Sequence, residues 1–167
     1  MLTKSLTDEE IIREFGDFSP YLNHEGIPSV GWEQSILQFI TLPAPLPLAW
    51  NKEIKVYRIQ CHKRIASQLK AALLSIYDYP SSWETINDYG GCYNFRLQRK
   101  SRSSLSKHCW AIAIDLDVGD NPFGKDPKVD PLVRNIFEEH GFIWGGIFPK
   151  KRVDGMHFEF VDIQKLS

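Results

Sequence analysis

The chain has 167 residues, 43% of them hydrophobic and 25% charged, a length and balance that suit one globular domain with a buried core. Lys and Arg number 20 and Asp and Glu 21, a formal net charge of -1, so bulk charge draws the protein neither to nucleic acid nor to an anionic membrane. The three cysteines, Cys61, Cys92 and Cys109, are odd in number and unpaired in spacing, which predicts free thiols rather than a disulfide framework.

Met1 to Glu10 has neither a basic n-region nor an apolar h-region, and no run approaches the ~20 apolar residues of a membrane span. The expectation is a protein made in the cytoplasm without a Sec-type signal, which reaches any outside target by release or by a non-Sec route. Thr7-Asp8-Glu9-Glu10 ahead of Ile11, Ile12 and Phe15 predicts a capping box and a short helix, ended by Gly16. The stretch after it is loop-rich. Pro43, Pro45 and Pro47 each remove a backbone donor and fix φ, so residues 41–47 read as an ordered connector. It divides an N-terminal extension, residues 1–51, from the domain proper, residues 52–167.

Ile54, Val56 and Ile59 suggest a short strand, and Ile65, Leu69, Ala72, Leu73 and Ile76 recur at helical spacing from about His62 to Tyr77, with Pro80 just beyond. Trp83 to Asn87 and Gly91 to Leu97 read as extended. Ala111 to Leu116 is a continuous apolar run with Asp115 set into it, and an apolar strand tolerates a carboxylate only when it is paired or metal-bound. Asp130 as N-cap, Pro131 in the first turn and Gly141 at the end bound a further helix. Phe142 to Phe148 and Met156 to Val161 read as strands. Strands interspersed with helices, without βαβ alternation, give an α+β domain.

Glycine-rich phosphate loops, dinucleotide fingerprints, Cys-x-x-Cys pairs and His-Glu-x-x-His helices are absent. Asp115-Leu-Asp117-Val-Gly119 fails as a calcium loop, because glycine stands where the third oxygen ligand belongs. What remains is Ser106-Lys-His108 with Asp115, and later Asp154-Gly-Met-His157-Phe-Glu159. Two histidines and an aspartate make a workable shell for a catalytic zinc, with the fourth position left for water. Fully extended chain from His108 to Asp115 would span about 23 Å, whereas donor atoms on one tetrahedral zinc lie roughly 3.3 Å apart. The chain must therefore turn between them, at Cys109 to Ala111. On the later strand, alternation puts His157 and Glu159 on one face and Phe158 and Phe160 on the other.

Ser-x-His, six residues, then Asp, followed later by Asp-x-x-His-Phe-Glu, resembles the signature of the zinc D-alanyl-D-alanine carboxypeptidases and L-alanyl-D-glutamate peptidoglycan endopeptidases, which include VanY-type enzymes and phage endolysins. Gly90-Gly-Cys-Tyr-Asn-Phe-Arg96 and Asn121-Pro122 resemble the endopeptidase-like branch. The resemblance runs from about Lys55 to Phe160 and leaves the first 51 residues uncovered. It implies a small, mainly antiparallel sheet with flanking helices, similar to the hedgehog signalling domain, and one zinc ion held by His108, Asp115 and His157. It further implies Asp154 as general base and then acid, Arg96 on a substrate carboxylate or the scissile carbonyl, and Ser106 supporting the ligand loop or touching substrate. Ala111 stands where the family usually has glycine, a departure that bears on the local turn.

The implied activity is hydrolysis of a peptidoglycan stem-peptide bond by a monomer, first as an L-alanyl-D-glutamate endopeptidase of the lysin or autolysin kind. The alternatives are a D-alanyl-D-alanine carboxypeptidase and a non-catalytic, zinc-stabilised binding module. Wall targeting is expected in residues 1–51 or in a partner. Of the basic stretch Arg96, Arg99, Lys100, Arg102 and Lys107, all but Arg96 read as a solvated loop. Trp110 and Trp144 read as core, Glu159 as either a support for His157 or a surface ion pair, and His140 as a complement to its helix C-terminus. His24 and His62 have no partners at motif spacing.

Overall fold

The Thr7 side chain accepts from the Glu10 amide and the Glu10 carboxylate from the Thr7 amide, so the capping box forms and α1 runs Asp8–Phe15. The structure is a computed structural model and describes residues 4–96 and 105–166. Ile11 and Phe15 face inward from α1, and α2 (Val30–Ile36), capped by Ser29, buries Trp32 and Ile36 in what the sequence presents as loop.

The proline-rich segment is not a connector. It lies within β1 (Leu37–Leu48), which pairs antiparallel with β2 (Asn51–His62) from Leu37↔His62 to Leu48↔Asn51. The register slips between Thr41 and Leu46, which absorbs Pro43 and Pro45 where ladder donors are not required. On its other side β1 meets β3 (Tyr89–Gly91) through one parallel pair, Leu48↔Tyr89, so the missing N–H groups cost little there too. The expected division after residue 51 falls at the turn of this hairpin. Ile11, Phe15, Trp32 and Ile40 belong to the same hydrophobic cluster as Leu69, Ile114 and Phe160, so residues 4–51 share the core of the rest.

A short 3-10 turn leads from β2 into α3 (Ala66–Tyr77), whose Leu69, Ala72, Leu73 and Ile76 are buried at the predicted spacing. Pro80 opens a one-turn helix, α4 (Pro80–Trp83), so Trp83 is helical rather than extended. Of the second predicted extended stretch, Gly91 to Leu97, Gly91 ends β3 (Tyr89–Gly91) and residues 92–96 form no strand, while Leu97 lies outside the described residues, as do Arg99, Lys100 and Arg102. β4 (Ala113–Leu116), α5 (Pro131–Glu139, capped by Asp130), β5 (Phe142–Trp144) and β6 (His157–Phe160) complete the fold. β5 is shorter than predicted, because Gly145–Ile147 turns into a 3-10 helix.

The result is an α+β domain with a six-stranded sheet in the order β2-β1-β3-β4-β6-β5, antiparallel except at β1 and β3. α3 packs on β1, α5 on β5, and the two helices on each other. Phe137 of α5 stacks on Phe158 of β6 at 4.3 Å between ring centroids. With Phe158 committed to that layer, the pleat turns His157 and Glu159 to the opposite face. Among the described residues, no helix is long and apolar enough to cross a membrane.

Candidate metal centre and its cavity

β4 and β6 pair with Asp115 directly opposite His157 and Ala113 opposite Glu159, so the cross-strand register alone brings Asp115 and His157 to one face. His108 arrives from the 3-10 helix Lys107–Trp110, which Ser106 caps by accepting from the His108 amide at 3.3 Å. The predicted reversal follows at Ala111, which takes the left-handed conformation at φ 53° and ψ 34°. Alanine thus adopts the conformation that glycine would reach without strain, and the turn is kept. Gly90 lets β3 approach β4, since a Cβ there would run into Val118 and lie 3.0 Å from the Asp115 Cβ.

His108 Nε2, Asp115 Oδ1 and His157 Nδ1 lie 3.0 to 3.2 Å from one another, all three residues buried. The other nitrogen of each ring is committed. His108 Nδ1 faces the Cys92 carbonyl at 2.7 Å, and since a carbonyl only accepts, this nitrogen carries the proton and leaves Nε2 bare. His157 Nε2 faces the Glu159 carboxylate at 3.1 Å, which by the same reasoning leaves Nδ1 of the neutral ring bare. With both rings neutral, two imidazole lone pairs and a carboxylate oxygen converge with no donor among them. A proton on one ring relieves part of this repulsion, whereas one cation satisfies all three. The separations are close to the roughly 3.3 Å between donors of a tetrahedral site with bonds near 2.0–2.1 Å. The donor set and its fixed tautomers fit a divalent metal of the zinc type.

Burial alone would raise Asp115, but the two imidazoles overrule it and hold the carboxyl well below the usual range. Burial opposes charge on His157, yet hydrogen bonds to Asp115 and Glu159 push the ring, without a metal, up to about 10. Glu159 is lowered against its burial, chiefly by His157. It is 4% exposed, so the surface ion-pair reading is set aside and it supports His157.

A cavity of about 260 Å³ opens beside the triad. His157, Glu159, Asp154, Arg96 and Ser106 line it together, so every residue singled out in the two motifs reaches either the triad or this space. Asp154 is fixed by its backbone, its amide donating to the Gly145 carbonyl at 3.0 Å and its carbonyl accepting from the His157 amide at 3.1 Å. A Cβ at Gly145 would collide with that Asp154 carbonyl, so glycine is required there. The Arg96 amide donates to Cys109 Sγ at 3.2 Å, tying the arginine to the His108 loop. Cys61, Cys92 and Cys109 are free and buried, and burial raises each thiol. Trp110 and Trp144 are core residues with indole N–H groups bonded to the carbonyls of Gly16 and Gly155, and His140 caps α5 through the Ile136 carbonyl at 2.8 Å.

Three contributors are invisible in the sequence. The Cys92 carbonyl is backbone and has no side-chain signature. Ser5, Leu6 and Asp8, far from the motifs along the chain, form one wall of the cavity. Lys107 is not in a solvated loop: it is 7% exposed, and its ammonium donates to the Leu6 carbonyl at 2.9 Å.

Residues 99–160 match the family model described as D-alanyl-D-alanine carboxypeptidase. This supports the zinc-peptidase family for the chain. The matched segment contains His108, Asp115, Asp154 and His157, and it supports a hydrolase of the metallopeptidase type. No curated protein and no solved structure matches the chain.

Proposed function

We propose that the protein is a zinc-dependent peptidase of peptidoglycan stem peptides, acting as an L-alanyl-D-glutamate endopeptidase. The observation that carries this reading is the convergence of three metal-ligating atoms from His108, Asp115 and His157, with the second nitrogen of each ring engaged from behind, beside a cavity lined by a carboxylate and an arginine. His108, Asp115 and His157 would hold the metal. Zinc in such a site supplies Lewis-acid polarisation of a carbonyl and lowers the pKa of water toward ~7.

The remaining steps belong to the chain. Asp154 stands beside His157 on a turn fixed at both backbone groups, where it takes a proton from the attacking water and returns it to the leaving amine. Arg96 binds a substrate carboxylate or steadies the charge that develops on the scissile carbonyl. Ser106 holds the His108 loop through its cap. Cys109 needs no nucleophilic role, since it is buried with a raised thiol and its sulfur donates to the Arg96 carbonyl. The resemblance of Gly90 to Arg96 and of Asn121-Pro122 to the endopeptidase-like branch favours the L-alanyl-D-glutamate bond.

Mass spectrometry of defined stem peptides after incubation tests this reading. A new amino-terminal D-glutamate identifies the endopeptidase and free D-alanine the carboxypeptidase, provided that chelated protein and Asp154→Ala are both silent. No cleavage by folded, zinc-loaded protein would refute the peptidase and favour a binding module.

A further inference from the structure

Lys107 lines the cavity, and its side chain is 8% exposed. A buried ammonium is costly unless its donors are used, and this one has three. Among the described residues its hydrogen bond goes to the Leu6 carbonyl at 2.9 Å, and its ion pair, with Asp8, is long at 3.9 Å. Asp8 has a side chain 68% exposed, so solvent screens that pair. The buried carboxylate nearby, Glu159, is hydrogen-bonded to His157 and makes no ion pair with Lys107 within 4.0 Å, although its charge favours the ammonium from a distance. The Leu6 bond fixes one donor and leaves two for whatever enters the cavity. Because Lys107 directly precedes His108 on the same 3-10 helix, its position is tied to that of the metal triad.

We propose that Lys107 is a specificity-determining residue whose ammonium receives a free carboxylate next to the scissile amide of the substrate. This rests on the peptidase reading and deepens it. A glutamate linked through its side-chain carboxyl keeps its α-carboxylate beside the bond to be cut, whereas the corresponding carboxamide presents no charge to an ammonium. The protein therefore selects stem peptides with the free acid over those amidated at that position.

The test compares L-Ala-γ-D-Glu-L-Lys-D-Ala with its D-isoglutamine counterpart as substrates for zinc-loaded wild type and Lys107→Gln, a change that keeps a donor for the Leu6 carbonyl but removes the charge. Wild type is expected to favour the acid by about tenfold or more in kcat/KM, carried mainly by KM. Lys107→Gln is expected to bring the two peptides within about twofold of each other, a ratio that a purely structural role would not move. Equal cleavage of both peptides by wild type overturns the proposal even if the variant fails to fold. A preference that survives in a folded variant overturns it as well, by assigning the carboxylate to Arg96 or to Arg152, which also lines the cavity. Cleavage of neither peptide by zinc-loaded wild type would refute the peptidase reading itself, and this proposal with it.

Discussion

Glu159 is the residue whose replacement most sharply separates a metal centre from a buried hydrogen-bond cluster. Its carboxylate accepts from His157 Nε2 at 3.1 Å and thereby points the Nδ1 lone pair at Asp115 and His108. Glu159→Gln keeps an acceptor but removes the charge, and Glu159→Leu removes both. Two effects oppose each other. Without Glu159 the proton that His157 holds up to about pH 10 is bound less tightly, which lowers proton competition with zinc. The field that favoured the metal is lost too, and a divalent ion loses more from it than a monovalent proton does. The net change should fall in the range for groups that support metal ligands, about 10-fold for Gln and about 100-fold for Leu, or about 1.4 to 2.7 kcal/mol. Competition with a chromophoric chelator at pH 7.5 measures it. Zinc affinity unchanged in both folded variants would refute the assignment of His157 as a ligand held by Glu159.

Asp154→Asn should lower turnover by roughly 10² to 10⁴ while leaving zinc affinity within a few-fold of wild type, read by peptide cleavage and chelator competition. His62 is buried, with Nε2–H donating to the Phe15 carbonyl and Nδ1 accepting from the Arg64 amide, and burial depresses it to about 4. The unfolded ring takes up a proton near pH 6.5 and the folded one only near 4, so stability is full above pH 6.5 and falls through that window by roughly 3 kcal/mol. Urea unfolding of wild type and His62→Gln at pH 7.5 and 4.5 should show that the loss is smaller in the variant. Ala111→Val places a β-branched residue at φ 53° in a fully buried turn and should cost at least ~2 kcal/mol and weaken zinc binding together. Thermal unfolding with and without zinc reads both effects.

The parts of the fold that the sequence discloses are those set by local chemistry. The Thr7 capping box, the Asp130-Pro131 helix start and the alternation of His157, Phe158, Glu159 and Phe160 depend on neighbours in the chain, and each forms as expected. The turn after His108 was legible because its geometry is forced: without it, His108 and Asp115 could not meet. β1 was hidden because proline opposes a regular strand, and only the slipped register and the nearly unpaired second side of β1 make it tolerable. Lys107 carries no sign in the sequence of being buried. Its partners are Leu6 and Asp8, about 100 residues away, and contacts of that separation leave no periodic pattern.

Zinc-edge X-ray absorption of the loaded protein decides whether His108, Asp115 and His157 form a metal centre. One zinc per chain is expected, in a shell of nitrogen and oxygen at about 2.0–2.1 Å, with imidazole scattering from two rings. A sulfur shell near 2.3 Å, which would draw in Cys92 or Cys109, or failure of the folded protein to retain zinc, would contradict it.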